Sequence, residues 1–120
     1  MRLVVSGSRE WNDKALAYAV MDDLHAAYAI EIVFHGEAAG LDGIVKQWCI
    51  ERGIPVFGCP YASAYDKQGG PIRNGWLLTY GLPDMVVAFP MKNSIGTWNL
   101  VTQAKARKIP IRIVRNHATH

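Results

Sequence analysis

Residues 30–42 read IEIVFHGEAAGLD, an apolar run that ends abruptly in a cluster of small residues. An amphipathic segment from Leu41 to Arg52 follows directly. This pattern predicts a strand, a glycine turn and a helix. In that geometry the backbone N–H groups of the turn and the N-terminus of the helix point to one place, which suits an anion, most often a phosphate.

The composition is typical of one ordinary globular domain. The chain has 120 residues, of which 50% are hydrophobic and 19% charged, so a core can form without disulfides or metal. No apolar run approaches the ~20 residues of a membrane helix. Gly7 interrupts the N-terminal apolar run too early for a signal peptide. We therefore expect a cytoplasmic protein.

Hydrophobic periodicity predicts strands and helices in alternation. Strands are expected at residues 3–6, 30–34, 54–58, 85–89 and 109–114, and helices at 13–28, 41–52, 71–80 and from 96 or 97 onward. Asn12 or Asp13 should cap the first helix, and Gly53 should end the second. Residues 59–70 are expected to form a structureless binding loop or lid. One domain over residues 1–116 and a flexible tail over 117–120 complete the prediction.

This alternation predicts a parallel α/β sheet with right-handed crossovers. Ligands of such sheets bind beyond the carboxyl ends of the strands, near the switch in strand order. Besides the turn at residues 35–40, small polar residues at 6–9 and 94–97 follow predicted strands. We therefore expect the three turns to converge on one edge of the molecule.

Four clusters supply the candidate binding residues. In chain order they are Gly7, Ser8 and Arg9; His35, Gly36, Glu37, Gly40 and Asp42; Arg73 and Asn74; and Ser94, Gly96 and Thr97. Arg9 offers a permanent cation with a bidentate fork, and Asp42 suits the hydroxyls of a ribose. An arginine in a first helical turn opposes the helix dipole unless an anion lies nearby, so Arg73 is predicted to face one.

Gly96 and Thr97 could cradle a phosphate through backbone N–H groups and a hydroxyl, but the lysine of a P-loop is missing. Taken singly, the clusters also fit plain turns with surface charges. Trp76 and Trp98 are interpreted as core residues, with a stacking surface for a base as the alternative.

Other chemistry finds little support in the sequence. Cys49 and Cys59 lack metal-type spacing and are interpreted as reduced, packing thiols. No Ser/His/Asp order, HExxH pair or paired CxxC motif is present, so we predict no metal and no cofactor. The net charge of +3 permits an anionic ligand without requiring nucleic acid, which needs a denser basic face.

The four clusters, in this order and spacing, resemble the SLOG superfamily, and in particular its YspA-like branch of small stand-alone domains. The matching residues are Gly7-Ser8-Arg9 with Trp11, His35-Gly36 with Gly40 and Asp42, Gly70-Pro71-Ile72-Arg73-Asn74, and Phe89-Pro90 followed by Gly96-Thr97. The resemblance covers nearly the whole chain. It implies a three-layer Rossmann-like domain, with a mostly parallel sheet of about five strands flanked by helices, and a pocket for a nucleotide-derived ligand. Members are proposed as nucleotide sensors or processors of bacteria and phages.

The LOG enzymes, which are similar in fold, cleave the base–ribose bond of nucleoside monophosphates with a glutamate and an arginine. The resemblance places Arg73 at that arginine, whereas Leu100 stands where the glutamate should be. An enzyme of this type would then rely on Glu37, Asp42 or His35, of which Glu37 occupies the central turn.

The leading interpretation is a sensor or sequestering protein that binds a nucleoside phosphate or an ADP-ribose-like molecule. Here residues 7–9, Gly36, Gly96 and Thr97 hold phosphates, Arg73 neutralises their charge, and Asp42 contacts ribose. A nucleotide N-glycosidic (phosphoribo)hydrolase is the alternative, and DNA binding of the DNA-processing type is a second one. We expect a nucleotide-derived small molecule as partner, no nucleic acid, no membrane, and a homo-oligomer, as is common among similar folds.

Overall fold

Five parallel strands form the centre of the fold. In the computed structural model, which describes residues 1–116, they are β1 (Arg2–Gly7), β2 (Ile32–His35), β3 (Val56–Gly58), β4 (Met85–Phe89) and β5 (Ile111–Ile113). The strand order is β3-β2-β1-β4-β5, so the order switches between β1 and β4. The predicted tail at 117–120 lies outside the described residues.

Four helices cover the two faces of the sheet. They are α1 (Lys14–Tyr28), α2 (Leu41–Arg52), α3 (Gly69–Gly81) and α4 (Ile95–Ala106). Helices α1 and α2 pack together on one face, and α3 and α4 pack together on the other. The predicted three-layer, Rossmann-like α/β fold is therefore confirmed.

The central strand β1 shows why the sheet is parallel and doubly covered. Leu3, Val4 and Val5 are all fully buried, as a strand with helices on both faces requires. Val4 lies opposite Phe34 of β2 and Val86 of β4. The strand pairs therefore place β1, β2 and β4 with their carboxyl ends at one edge of the sheet.

The local signals for helix boundaries are largely confirmed. Asp13, rather than Asn12, caps α1 by accepting a 3.0 Å hydrogen bond from the N–H of Leu16. Gly53 ends α2 with φ +67°, a conformation that favours glycine. Strand β3 lies at the sheet edge, where Pro55 just before it removes no hydrogen bond that an inner strand would need.

The connection before α3 differs from the prediction of a structureless loop. Residues Ser63–Gln68 form a short 3-10 helix, and α3 begins at Gly69 rather than at Pro71. A proline is tolerated here because the first N–H groups of a helix have no partner within it. Arg73 consequently lies beyond the first turn, so the argument that it opposes the helix dipole does not apply.

The tryptophans are buried to different extents on the two faces of the sheet. Trp11 and Trp48 are buried beneath α1 and α2, whereas Trp76 on α3 is 37% exposed and contacts Tyr65 edge-on. The core interpretation is therefore wrong for Trp76, and Trp98 is only half-buried. Among residues 1–116, no helix is both long and apolar enough to cross a membrane.

Candidate functional site

A cavity of about 490 Å³ opens at the carboxyl edge of the sheet, where the strand order switches between β1 and β4. Its volume lies in the range of small-molecule sites. Five segments contribute its walls: the turns after β1, β2 and β4, the segment after β3, and α3. The lining residues are Ser6, Gly7, Ser8, Arg9, Glu10, Gly36, Glu37, Ala38, Asp42, Pro60, Tyr61, Arg73, Asn74, Leu77, Lys92, Asn93, Ser94, Ile95, Gly96 and Thr97.

This cavity collects nearly all of the residues that the sequence nominated. Only His35 and Gly40 among those candidates lie outside its lining. The expected convergence of the three turns on one edge is therefore observed. To bind a ligand, these residues must offer it hydrogen-bond donors and charges that the turns leave free.

In the turn after β2, side chains of the protein itself accept hydrogen bonds from the backbone N–H groups. Asp42 Oδ2 accepts hydrogen bonds of 3.1 Å from the N–H groups of Gly36 and Ala38. The N–H of Glu37 donates to His35 Nδ1 at 2.9 Å. The N–H groups of the three turn residues that line the cavity are thus already engaged, two of them by a carboxyl group of the protein.

Burial governs the ionisation of Asp42. The residue is 4% exposed, and Oδ1 accepts no hydrogen bond from a described residue. Burial raises the pKa of the carboxyl to about 6, against the lowering effects of its two backbone hydrogen bonds and of Arg73 and Arg9. The turn therefore contains a carboxyl group that changes charge just below neutral pH.

His35 lies beneath this turn and is 3% exposed. Its Nδ1 accepts a hydrogen bond, so the neutral ring carries its proton on Nε2. Burial lowers the pKa of the imidazole. His35 therefore supports the turn as a neutral ring and does not face the cavity.

Glycines allow the turns after β1 and β2 to pack against each other. A Cβ on Gly7 would lie 2.4 Å from Leu41 Cγ, and a Cβ on Gly40 would lie 2.3 Å from the carbonyl oxygen of Arg9. A hydrogen bond of 3.2 Å from the N–H of Leu41 to the carbonyl of Ser8 joins the two turns. These close approaches are between parts of the protein itself.

Arg73 and Asn74 connect the walls of the cavity. Arg73 Nη1 donates to the carbonyl of Gly36 at 2.6 Å, and its Nε donates to Asn74 Oδ1 at 3.0 Å. Asn74, which is 1% exposed, donates from Nδ2 to the carbonyl of Gly96 at 3.0 Å. The chain of hydrogen bonds fixes the turn after β2, α3 and the start of α4 relative to one another.

The N-terminus of α4 remains uncapped. Ser94 occupies the cap position, but its Oγ accepts from the N–H of Met91 at 2.8 Å instead of capping the helix. Within residues 1–116, the N–H groups of Gly96 and Thr97 donate to no other residue. No atom lies within 4 Å of the place where a Cβ on Gly96 would project. This helix end is therefore open to an anion.

Hydroxyls and cations surround the same helix end. Ser6 Oγ donates to Thr97 Oγ1 at 3.3 Å, and both residues line the cavity. Arg9 and Lys92 are exposed at its wall, and neither pairs with a carboxylate in the part of the chain that the structure describes. Positive charge and hydroxyl groups therefore line the same cavity as this helix end.

Sequence reasoning missed three lining residues of chemical interest. Ser6 was noted among the polar residues at 6–9 but not selected as a binding residue, Lys92 was not selected, and Tyr61 lay within the predicted loop. Lys92 and Tyr61 follow the carboxyl ends of β4 and β3, and Ser6 lies at the carboxyl end of β1 itself. That rule alone could have nominated them, because such positions share one edge of the sheet.

A second, apolar groove of about 540 Å³ is lined by residues of β2, β3 and α3. Phe57 is 58% exposed and Tyr80 74% exposed at its sides. Cys59 lies at the groove as a free thiol, and burial raises its pKa. The groove is thus distinct from the polar cavity, although Leu77 borders both.

Fold and cavity together define a Rossmann-like α/β domain with a polar cleft at its topological switch point. The chain belongs to the YspA, cpYpsA-related SLOG family (YAcAr), whose model matches residues 1–62. It is also 30% identical over 117 residues to the Gene 61 protein of Mycobacterium phage D29, an alignment that covers 92% of this chain and 93% of the phage protein. No solved structure gives a match. The suspected SLOG membership and its YspA-like branch are therefore confirmed.

Proposed function

We propose that this protein binds a phosphorylated nucleotide or an ADP-ribose-like molecule in the 490 Å³ cavity, as a sensor or sequestering protein. Membership of the SLOG family points to a nucleotide-related role. The observation that carries the proposal is the uncapped start of α4, where Gly96 and Thr97 line the cavity and their N–H groups have no partner among the described residues. A helix N-terminus of this kind favours phosphate.

The phosphates are assigned to the β1–β4 side of the cavity. Gly96 and Thr97 supply backbone N–H groups, Ser6 and Thr97 supply hydroxyls, and Arg9 and Lys92 supply charge. Residues 7 and 8 and Ser94 shape this wall. Two cations without carboxylate partners on a mildly basic protein fit an anionic ligand better than a neutral one.

The other predicted residues support this site from its far wall. Asp42 and His35 hold the turn after β2, so Gly36 acts in this assignment through its carbonyl, which accepts from Arg73. The Nη2 group of Arg73 makes no hydrogen bond to a described residue and remains available to a phosphate oxygen. Arg73 would then both tie the walls together and contact the ligand.

Ligand-induced thermal stabilisation tests this proposal. A panel of nucleoside mono- and diphosphates and ADP-ribose should raise the melting temperature of the protein, since a ligand at 100 times its Kd stabilises by about 2.7 kcal/mol. Arg9→Ala and Lys92→Ala should each remove most of the shift while leaving the melting temperature of the free protein unchanged. Arg112→Ala is the matched control, because Arg112 is exposed and lies outside the cavity lining. Equal shifts in all variants, or no shift with any ligand, would contradict the proposal.

Hydrolysis of the N-glycosidic bond is the second candidate function. Glu37 favours it, because this acid lines the cavity and its carboxylate makes no hydrogen bond to a described residue. Leu100, at the position of the LOG glutamate, is fully buried and cannot replace it. Chromatography of the nucleotide panel after incubation with protein would detect free base and ribose phosphate, and their absence at high protein concentration would leave binding alone.

We further propose that the apolar groove is the contact between two copies of the chain. The groove residues are uncharged and include exposed Phe57 and Tyr80, and an exposed apolar surface of this kind is typical of a contact between proteins. Light scattering coupled to size exclusion should give a dimer, and Phe57→Ser with Tyr80→Ser should give a monomer. Tyr28→Ser is the control, since Tyr28 is 54% exposed on α1 at the opposite face. A monomeric wild type would refute this contact.

A further inference from the structure

Glu37 is an acid of the cavity wall that the protein itself leaves unused. Its side chain is exposed, lines the cavity and makes neither a hydrogen bond nor an ion pair with a described residue. Its backbone is held in place, with φ +55° and an N–H that donates to His35 Nδ1. The geometry thus presents a free carboxylate from a fixed position.

Gly58 at the end of β3 makes room for that carboxylate. A Cβ on Gly58 would lie 2.2 Å from Glu37 Cγ and 2.4 Å from Glu37 Oε1, which no real contact allows. The side chain of Glu37 therefore leans across the end of β3. This places the carboxylate on the β2–β3 side of the cavity, away from the start of α4.

Asp42, the other acid near this turn, already binds groups of the protein itself. Asp42 is 4% exposed and binds the N–H groups of Gly36 and Ala38 with Oδ2. In dinucleotide-binding α/β folds, an acid near the second strand accepts hydrogen bonds from ribose hydroxyls. Glu37 lies two residues after the end of β2 and has both oxygens available, so it suits this role better than Asp42.

Tyr61 lies on the same side of the cavity with its ring fixed. The hydroxyl donates to the carbonyl of Asp66 at 2.6 Å, and the ring packs against Gly69, where a Cβ would lie 2.5 Å from Tyr61 Cε1. Tyr61 is nevertheless 45% exposed and lines the cavity. A ring held in this way offers a base a stacking surface at little cost in side-chain entropy.

From these contacts we infer that the β2–β3 side of the cavity is a ribonucleoside subsite, in which Glu37 accepts hydrogen bonds from the ribose 2′- and 3′-hydroxyls and Tyr61 stacks on the base. The inference rests on the proposed phosphate site at α4 and names its ligand class as a ribonucleotide with an unmodified diol. A ligand of this class carries its phosphates toward Arg9 and Gly96 and its nucleoside toward Glu37. A 2′-deoxy or 2′-phosphorylated nucleotide lacks the donor that Glu37 requires.

Calorimetric titration with matched ligand pairs tests the inference. The probes are ADP, GDP, CDP and UDP, each compared with its 2′-deoxy counterpart. Loss of a hydrogen bond to a charged acceptor should weaken binding of the deoxy member about 10- to 100-fold. Glu37→Ala should bring the two members of a pair to within about threefold, and Glu37→Gln should give an intermediate ratio because its amide oxygen still accepts. Tyr61→Leu should weaken both members equally, about 10-fold by the size of base stacking.

Glu10→Gln is the matched control. Glu10 also lines the cavity, on the β1 side, and its carboxylate makes no hydrogen bond to a described residue. Its removal changes the local charge as Glu37→Gln does, so the deoxy ratio should stay at the wild-type value. Ribo and deoxy members that bind the wild type equally, or a ratio that survives Glu37→Ala, would overturn the inference while leaving the phosphate site intact. Absence of binding by every diphosphate would instead overturn the proposed function, and the inference with it.

Discussion

Arg73 donates a 2.6 Å hydrogen bond to the carbonyl of Gly36, across the space between α3 and the turn after β2. A Cβ on Gly36 would lie 2.3 Å from Nη1 of that guanidinium, so only glycine permits the contact. Gly36 and Arg73 both belong to the SLOG-like sequence pattern, and this hydrogen bond gives them one shared role, which is to connect α3 to the turn after β2. It also fixes the far wall of the cavity, and a preorganised wall would lower the entropic cost of the ligand binding proposed above.

Asp42 should make the stability of the protein depend on pH. Burial raises its pKa from 3.8 to about 6 in the folded chain. As pH rises, the unfolded chain loses this proton first, so the folded state loses relative stability between about pH 4 and pH 6 and stays penalised above that range. The difference in pKa corresponds to about 3 kcal/mol. The folded protein is therefore free of this penalty in acid and bears it fully near neutral pH.

The substitution Asp42→Asn isolates that contribution. Its amide oxygen still accepts from the N–H groups of Gly36 and Ala38, but the side chain carries no charge. Urea unfolding at pH 4, 5, 6 and 7 should show the variant gaining up to about 3 kcal/mol relative to the wild type between pH 4 and pH 7. Asp23→Asn, at an exposed position of α1, is the control and should show no such trend. A difference that is constant across this range would show that Asp42 is not penalised by burial.

Two glycine substitutions should have opposite effects on stability. Gly7→Ala places a Cβ 2.4 Å from Leu41 Cγ, and Leu41 is fully buried, so the free energy of unfolding should fall by about 1–3 kcal/mol. Gly96→Ala meets no atom within 4 Å and lies in a helix, so it should stabilise by up to about 1 kcal/mol. Urea unfolding of both variants measures this contrast. Equal losses in the two would mean that the start of α4 is not open.

By its resemblance to the LOG enzymes, the chain would carry a glutamate at residue 100, but substituting one for Leu100 should not create the enzyme. Leu100 is fully buried in the core between α3, α4 and the sheet. Leu100→Glu buries a carboxylate and removes packing, so it should destabilise by roughly 4 kcal/mol or more and produce no hydrolysis. Leu100→Met, which conserves volume, should cost less than about 1.5 kcal/mol. A stable Leu100→Glu variant that releases free base from a nucleotide would show that this side chain can reach the cavity.

Much of the fold could be predicted from the sequence because its signals are local. The apolar run into β2, the cap at Asp13 and the glycine at residue 53 each act through neighbouring residues. The short 3-10 helix and the start of α3 were missed, since Gly69 and Gly70 read as a loop. Gly69 packs against Tyr61, a tertiary contact that the local sequence pattern does not reveal.

The residues of the candidate site were easier to predict than the roles now proposed for them. A rule about strand ends brings the right turns to one edge, but it does not say which N–H groups stay free. The turn after β2 seemed the best anion site from sequence, yet Asp42 and His35 engage its donors. At the start of α4 the N–H groups stay free, because Ser94 occupies the cap position but accepts a hydrogen bond from Met91 instead of capping the helix. Such choices between hydrogen-bond partners follow from three-dimensional packing.

Amide chemical shifts report directly on whether phosphate binds at the start of α4. Titration of ¹⁵N-labelled protein with inorganic pyrophosphate should move the resonances of Gly96 and Thr97 most, because their N–H groups acquire a charged acceptor. The amides of Gly36 and Ala38 should move little, since they already bind Asp42. Saturable shifts at Gly96 and Thr97 are the predicted result. Shifts confined to the turn after β2, or no shift at α4 with millimolar pyrophosphate, would contradict the account.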